Sequence, residues 1–133
     1  MRIYLDSSAA VKLFSNELES KELANLIRDA IVSPRSIFIS RLTRLETVRS
    51  LRRKGIDPSA AIDFFQAVDM VDLKTDDLKL AESVKPESIR SLDAIHLSVA
   101  LRIKDLGASF VSYDKQLIEA AVENGLEVLS PGS

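Results

Sequence analysis

Four carboxylates hold most of the chemical potential of this chain: Asp6, Glu46, Asp93 and Asp114. Cysteine is absent and there is a single histidine, so neither a thiolate site nor a zinc centre built on imidazoles can form. Any metal must therefore be held by oxygen. Hard oxygen donors without sulfur suit Mg²⁺ or Mn²⁺, and such an ion among carboxylates suits hydrolysis of a phosphodiester. It lowers the pKa of a water to make a nucleophile and neutralises charge building on the phosphate.

Each acid also has a plain structural reading. Asp6, in Leu5-Asp6-Ser7-Ser8, is a natural N-cap, and Asp114 before Lys115-Gln116-Leu117 is another. Glu46 follows Thr43 by three residues, the spacing of a capping box. Asp93 two residues after Ser91 suits the positive end of a helix dipole. Ser7 and Ser112 can cap and close strand ends, and His96 reads as a hydrogen-bonded packing residue.

The elements decide whether these residues meet. Arg2 to Leu5, Ile37 to Ile39, Met70 to Leu73, Phe110 to Ser112 and Glu127 to Leu129 are short apolar runs of the kind that form buried strands. Between them lie helical patterns. Ala9 to Phe14 follows the Asp6 cap, and Leu18 to Val32 ends at Ser33-Pro34. A third helix, capped by Ser40 or Thr43, carries the stripe Leu42, Leu45, Val48 and Leu51 and stops at Gly55. Pro58 opens a fourth, and Thr75 caps a fifth running to about Val84. Ser91 caps a helix striped by Leu92, Ile95, Val99 and Ile103, widened by Ala100 and Leu106. Gly107 stands just past its end, and a last helix runs from Asp114 to Asn124-Gly125. Strands alternating with helices predict an α/β/α sandwich around a mostly parallel sheet of five strands, because parallel neighbours need crossover connections. In such a sheet the carboxyl ends of all strands share one edge, and the four acids should converge there.

The chain resembles the PIN-domain ribonucleases, most closely the VapC-type toxins of bacterial and archaeal toxin-antitoxin modules. The resemblance rests on Leu5-Asp6-Ser7-Ser8, Glu46, Leu92-Asp93-Ala94-Ile95-His96-Leu97 and Ser112-Tyr113-Asp114-Lys115-Gln116-Leu117, in that order and spacing, and spans nearly the whole chain. It implies the strand order 3-2-1-4-5 and a metal-dependent endoribonuclease whose metal-binding acids are Asp6, Glu46, Asp93 and Asp114. Asp114 is the position whose role varies most across the family. Ser7 and Ser112 match hydroxyls that support the acids. The resemblance further implies an RNA substrate, an inhibitory antitoxin protein and a homodimer. Two alternatives stand beside this reading: a PIN-like scaffold with little activity, and a receiver-like Mg²⁺-binding signalling domain.

At 133 residues the chain fits a single domain, 1–133, able to bury about two thirds of its unfolded surface. No apolar run approaches a membrane span, and the first strand begins without a leader pattern, which points to the cytoplasm. A net charge of -2, from 18 basic and 20 acidic residues, runs against a nucleic-acid partner. The distribution reverses that argument. Arg41, Arg44, Arg49, Arg52, Arg53 and Lys54 crowd one helix beside a single acid, Glu46, so Arg49, Arg52 and Arg53, with Lys115, are candidate RNA contacts. A solvated helix face is the bland alternative. With two Tyr, five Phe and no Trp the chain offers no stacking platform for bases, though Tyr113 is placed to stack on one.

Overall fold

Nearly continuous burial along the central strands explains the layers. In the computed structural model, which describes residues 1–133, Ile3 and Leu5 of β1 (Arg2–Leu5), Ile37 and Ile39 of β2 (Ile37–Ser40) and Val111 of β4 (Ala108–Val111) pack into one core. Tyr4, Phe38 and Phe110 from the same strands pack into a second core on the opposite face. Successive strand side chains point to opposite faces, so strands apolar at nearly every position must be covered twice. The first core is closed by α1 (Ser7–Phe14), α2 (Ser20–Ala30), α3 (Arg41–Arg53) and α4 (Ser59–Ala67). The second is closed mainly by α6 (Ser91–Arg102) and α7 (Lys115–Glu123), with α5 (Thr75–Ala81) packed on α6.

With β3 (Asp69–Val71) and β5 (Val128–Leu129) the sheet is wholly parallel, in the order β3-β2-β1-β4-β5. Leaving β1 the chain walks outward through β2 to β3, then returns to β1's other side for β4 and β5. The reversal lies between β1 and β4, and at such a switch point the loops leaving two neighbouring strands part and open a crevice. Asp6 and Ser112 are the residues that follow those two strands. The order differs from the 2-1-3-4-5 of receiver-like sheets. A receiver-like domain would need an Asp in the middle strand region, and the nearest acid, Asp72, lies past β3 and is paired with Arg41 at 2.9 Å.

Several local expectations shift. Along α3 the buried face is Leu42, Thr43, Thr47 and Leu51, while Leu45 is 57% exposed. Threonine can be buried here because its hydroxyl is satisfied: Thr43 Oγ1 donates to the Leu5 carbonyl at 3.1 Å, and Thr47 Oγ1 to the Thr43 carbonyl at 2.6 Å. Ser40 is the cap, accepting from the Thr43 amide at 3.2 Å. In α6, Ala94 and the run His96 to Ala100 are buried, while Leu92 is exposed, and Leu106, expected to widen the stripe, lies exposed beyond the helix end; a helix wedged between sheet and neighbouring helices has no single apolar stripe. Thr75 and Ser91 are first helical residues rather than caps. At α5 the job of Thr75 is done by Asp77, whose Oδ2 accepts the Lys74 amide at 2.8 Å. Gly107, at φ 75°, takes the left-handed turn between a short 3₁₀ turn (Lys104–Leu106) and β4.

Asp77 is 1% exposed and also receives Arg102 Nε at 2.7 Å and Nη2 at 3.0 Å, tying α5 to α6. Arg102→Met would leave that carboxylate buried with one backbone donor, and should cost about 2–4 kcal/mol in urea unfolding. A loss below about 1 kcal/mol would show that the clamp contributes little.

Candidate active site

The crevice at the switch point is built from the first residues after each strand. Asp6 follows β1 and caps α1, its Oδ1 accepting from the Ala9 amide at 2.9 Å and from Ser8 Oγ at 2.7 Å. Its Oδ2 accepts from Ser112 Oγ at 2.5 Å, across the β1/β4 boundary. Ser8 Oγ and Ser112 Oγ in turn accept the amides of Tyr113 and Asp114 at 2.9 and 3.2 Å, so the two loops are laced together. The capping reading of Asp6 holds, and the cap leaves the carboxylate in the crevice wall. Burial pushes its carboxyl above the ordinary range, against the pull of His96 and its hydrogen-bond donors.

Glu46 does not complete a capping box, since Ser40 and Thr43 cap α3 between themselves. It turns instead to Ser7, whose hydroxyl donates to Glu46 Oε1, and to His96, whose Nε2 lies 2.6 Å from the same oxygen. Burial raises the Glu46 carboxyl, but these hydrogen bonds outweigh it and hold the group below the usual range. His96 is 2% exposed and its Nδ1 meets the Tyr4 hydroxyl at 3.1 Å. It is the packing residue its surroundings suggest, and it is also bound to a candidate site acid. The signal for this in the chain is its position on the same helix as Asp93, three residues on.

Asp93 sits in the first turn of α6 and accepts no side-chain or capping hydrogen bond. It is half-buried, and burial raises its carboxyl; Asp114 adds to this, as do Glu46 and Asp6, against His96. Asp114 caps α7, accepting the Gln116 and Leu117 amides at 3.0 and 3.1 Å.

All four acids wall one recess of about 190 Å³, with Ser7, Ser8, His96 and Leu117. They border it without closing on one another, and no three of the acidic and imidazole groups stand together as a ready ligand cluster. Like charges without a cation between them take separate hydrogen-bond partners, as Asp6, Glu46 and Asp114 do. The donor set fits a hard divalent ion: every free donor is oxygen, and Asp93 is joined to no cation.

Two wider hollows flank the recess. One, of about 390 Å³, shares Ser7, Ser8 and Glu46 with it and adds Lys12, Ser50, Arg53, Lys54 and Tyr113. The other, of about 560 Å³, shares Glu46, Asp93 and Asp114 and adds Arg90, Ser91, Leu92 and Gln116. A groove thus crosses the acids with Arg53 and Lys54 at one end and Arg90 at the other. None of these three is in an ion pair, whereas Lys12 is held by Glu17 and Glu19. Arg49, Arg52 and Lys115 are exposed and line neither hollow nor recess. Tyr113 presents its ring to Lys12 Nζ at 4.7 Å and donates its hydroxyl to the Pro131 carbonyl. Lys54 and Arg90 lie outside the set of basic residues expected to touch RNA; Arg90 stands alone before α6, apart from any basic run.

Comparison with known proteins bears on the fold and the descent of the chain. The PIN domain family model matches residues 3–123. Two ribonucleases of Mycobacterium tuberculosis are similar over nearly their full length: VapC47 is 35% identical, with 98% of each chain covered, and VapC46 is 41% identical, with 97% of each covered. Among solved structures, M. tuberculosis VapC20, described as a sarcin-ricin loop cleaving toxin, superposes with a TM-score of 0.72 at 17% identity, covering 97% of this chain and 99% of its own. A toxin-antitoxin complex from Klebsiella pneumoniae gives 0.67 at 15% identity, covering 97% of each chain. At those identities the structures speak for the fold, while the family model and the curated relatives speak for descent: the chain belongs to the PIN-domain family, among the VapC ribonucleases.

Proposed function

We propose that this ribonuclease works with Mg²⁺ or Mn²⁺ held by Asp6, Glu46, Asp93 and Asp114, and that a single RNA strand lies along the groove over them. The observation that carries this reading is Asp93, a half-buried carboxylate without a donor, raised by burial first and then by three other acids beside it in one recess at the switch point of the sheet. A structural acid would have been given a partner. A bound divalent ion supplies Lewis acidity, easing ionisation of water and neutralising charge on the phosphodiester. The protein's own part is positional. Ser112 and Ser8 fix Asp6, Ser7 and His96 fix Glu46, and Arg53, Lys54 and Arg90 receive phosphates on either side of the reacting one.

The biological setting follows the relatives. We place the chain as the toxin of a toxin-antitoxin pair in the cytoplasm, held inactive by a small antitoxin whose Arg or Lys enters the acidic recess, and paired as a homodimer. No helix is long and apolar enough to cross a membrane.

Cleavage of labelled RNA should require Mg²⁺ or Mn²⁺, stop with chelator and leave 5′-phosphate and 3′-hydroxyl ends, because water rather than the 2′-hydroxyl attacks. Chelator-resistant cleavage ending in cyclic phosphates would rule the mechanism out.

Asp93→Asn should abolish cleavage while leaving the metal-free protein as stable as its parent or up to about 1 kcal/mol more stable, since it removes charge repulsion. Its gain in melting temperature on adding Mn²⁺ should shrink. A destabilised but fully active variant would return Asp93 to the role of helix-dipole decoration.

Replacing Arg53 and Lys54 with Ala should weaken RNA binding and lower the slope of log affinity against log salt by about 0.7 for each phosphate that is no longer neutralised. The Arg49→Ala, Arg52→Ala pair, on the exposed face of α3, should lower it less. Equal slopes in both pairs would mean that the whole helix binds diffusely.

A further inference from the structure

Beyond the carboxylates themselves, we infer that His96 is the positioning residue of the site, locking Glu46 through its Nε2–H so that one carboxylate oxygen is tied to the protein and the other is left for the metal. The inference rests on the metal reading above. It stands on the proton arrangement that the contacts permit. Ser7 has one hydroxyl hydrogen, and that hydrogen goes to Glu46 Oε1. Toward His96 Nε2, 2.9 Å away, Ser7 Oγ can therefore only accept. Glu46 Oε1, 2.6 Å from the same nitrogen, is the oxygen that already accepts the Ser7 hydrogen, and toward the ring it accepts as well. Both constraints put a proton on Nε2. On the other side of the ring the Tyr4 hydroxyl meets Nδ1 at 3.1 Å. The imidazole is thus held at both ends inside the second core, stacked edge-on to Tyr4 at 6.3 Å between ring centres.

Such an arrangement does for an oxygen ligand what outer hydrogen bonds do for ligands generally: it fixes the orientation of the group and spares the metal the cost of ordering it. It also excludes His96 as a ligand, because Nε2, the nitrogen on the recess side, is already a donor. Both tethers of Glu46 meet at Oε1, and no hydrogen bond is made to its second oxygen.

Mn²⁺ affinity measured by electron paramagnetic resonance on the full chain, freed of metal beforehand, reads this directly for the parent, His96→Leu, His96→Gln and Glu46→Gln. His96→Leu should weaken Mn²⁺ binding by about 10–100-fold, and cleavage should return at high Mn²⁺. His96→Gln, which keeps an N–H at similar reach, should stay within about threefold of the parent. Because His96 is the only histidine, the ¹⁵N imidazole spectrum of the parent shows one ring; it should carry its proton on Nε2 and shift in Glu46→Gln. A Leu variant that binds Mn²⁺ as tightly as the parent overturns the positioning role and leaves the metal reading standing. A parent that neither binds Mn²⁺ nor cleaves RNA overturns both. If the Leu variant does not fold, the Gln variant and the ring signal decide, and an Nε2 that carries no proton, or a signal unmoved in Glu46→Gln, refutes the tether.

Discussion

The hydrogen bond from Ser112 Oγ to Asp6 Oδ2, 2.5 Å long and fully buried, joins the ends of the two strands between which the chain reverses its direction across the sheet. Without some such tie the loops after β1 and β4 would part, as they must at a switch point, and the crevice would have no fixed floor. The carboxylate does two structural jobs at once. One oxygen caps α1 and the other holds β4, so the helix that carries Ser7 and the loop that leads to Asp114 are set relative to a single group. The geometry of the recess therefore follows from a capping residue that also ties two strand ends together.

Gathering four carboxylates in one recess opposes folding, and their titration shows how the protein distributes the load. Asp6 and Asp93 stand above the ordinary range, so the folded chain holds protons more tightly there than the unfolded chain. Their effect is a loss of stability as pH rises through the window between the ordinary and the raised values. Glu46 stands below the range, and its contribution is present above the ordinary carboxylate pKa and lost as pH falls through its folded value. The two signs separate the acids by environment. Glu46 is tethered by donors, whereas Asp93 is left bare, and a bare acid gains most from a cation.

The order of strands and helices was legible because the strands are apolar at nearly every position and the breaks fall at Ser33-Pro34, Gly55, Gly107 and Gly125. The acids were legible as types in a spacing, and the parallel sheet explains why they meet. What was hidden concerns side chains that satisfy themselves. Thr43 and Thr47 look like surface residues until their hydroxyls find the Leu5 and Thr43 carbonyls, and Leu45 looks like core until they displace it. The match of Thr43 and Glu46 to a capping box was a local coincidence, decided against by Ser40 one turn earlier and by His96 from fifty residues away in sequence. No local pattern can report a partner at that distance.

The net charge shows the same limit from the electrostatic side. Twenty acidic residues against eighteen basic ones would discourage an RNA strand if the charge were spread evenly, but the acids most repellent to a phosphate are sunk in the recess. A divalent ion there would cancel part of that charge, while the free cations Arg53, Lys54 and Arg90 stand at the two ends of the groove. Metal and substrate then favour each other's binding, because each is opposed by the like charge that the other relieves. An inhibitor that places one Arg or Lys in the recess would exploit the same coupling in reverse: a single cation there takes the place of the metal and leaves the groove without the charge an RNA strand needs.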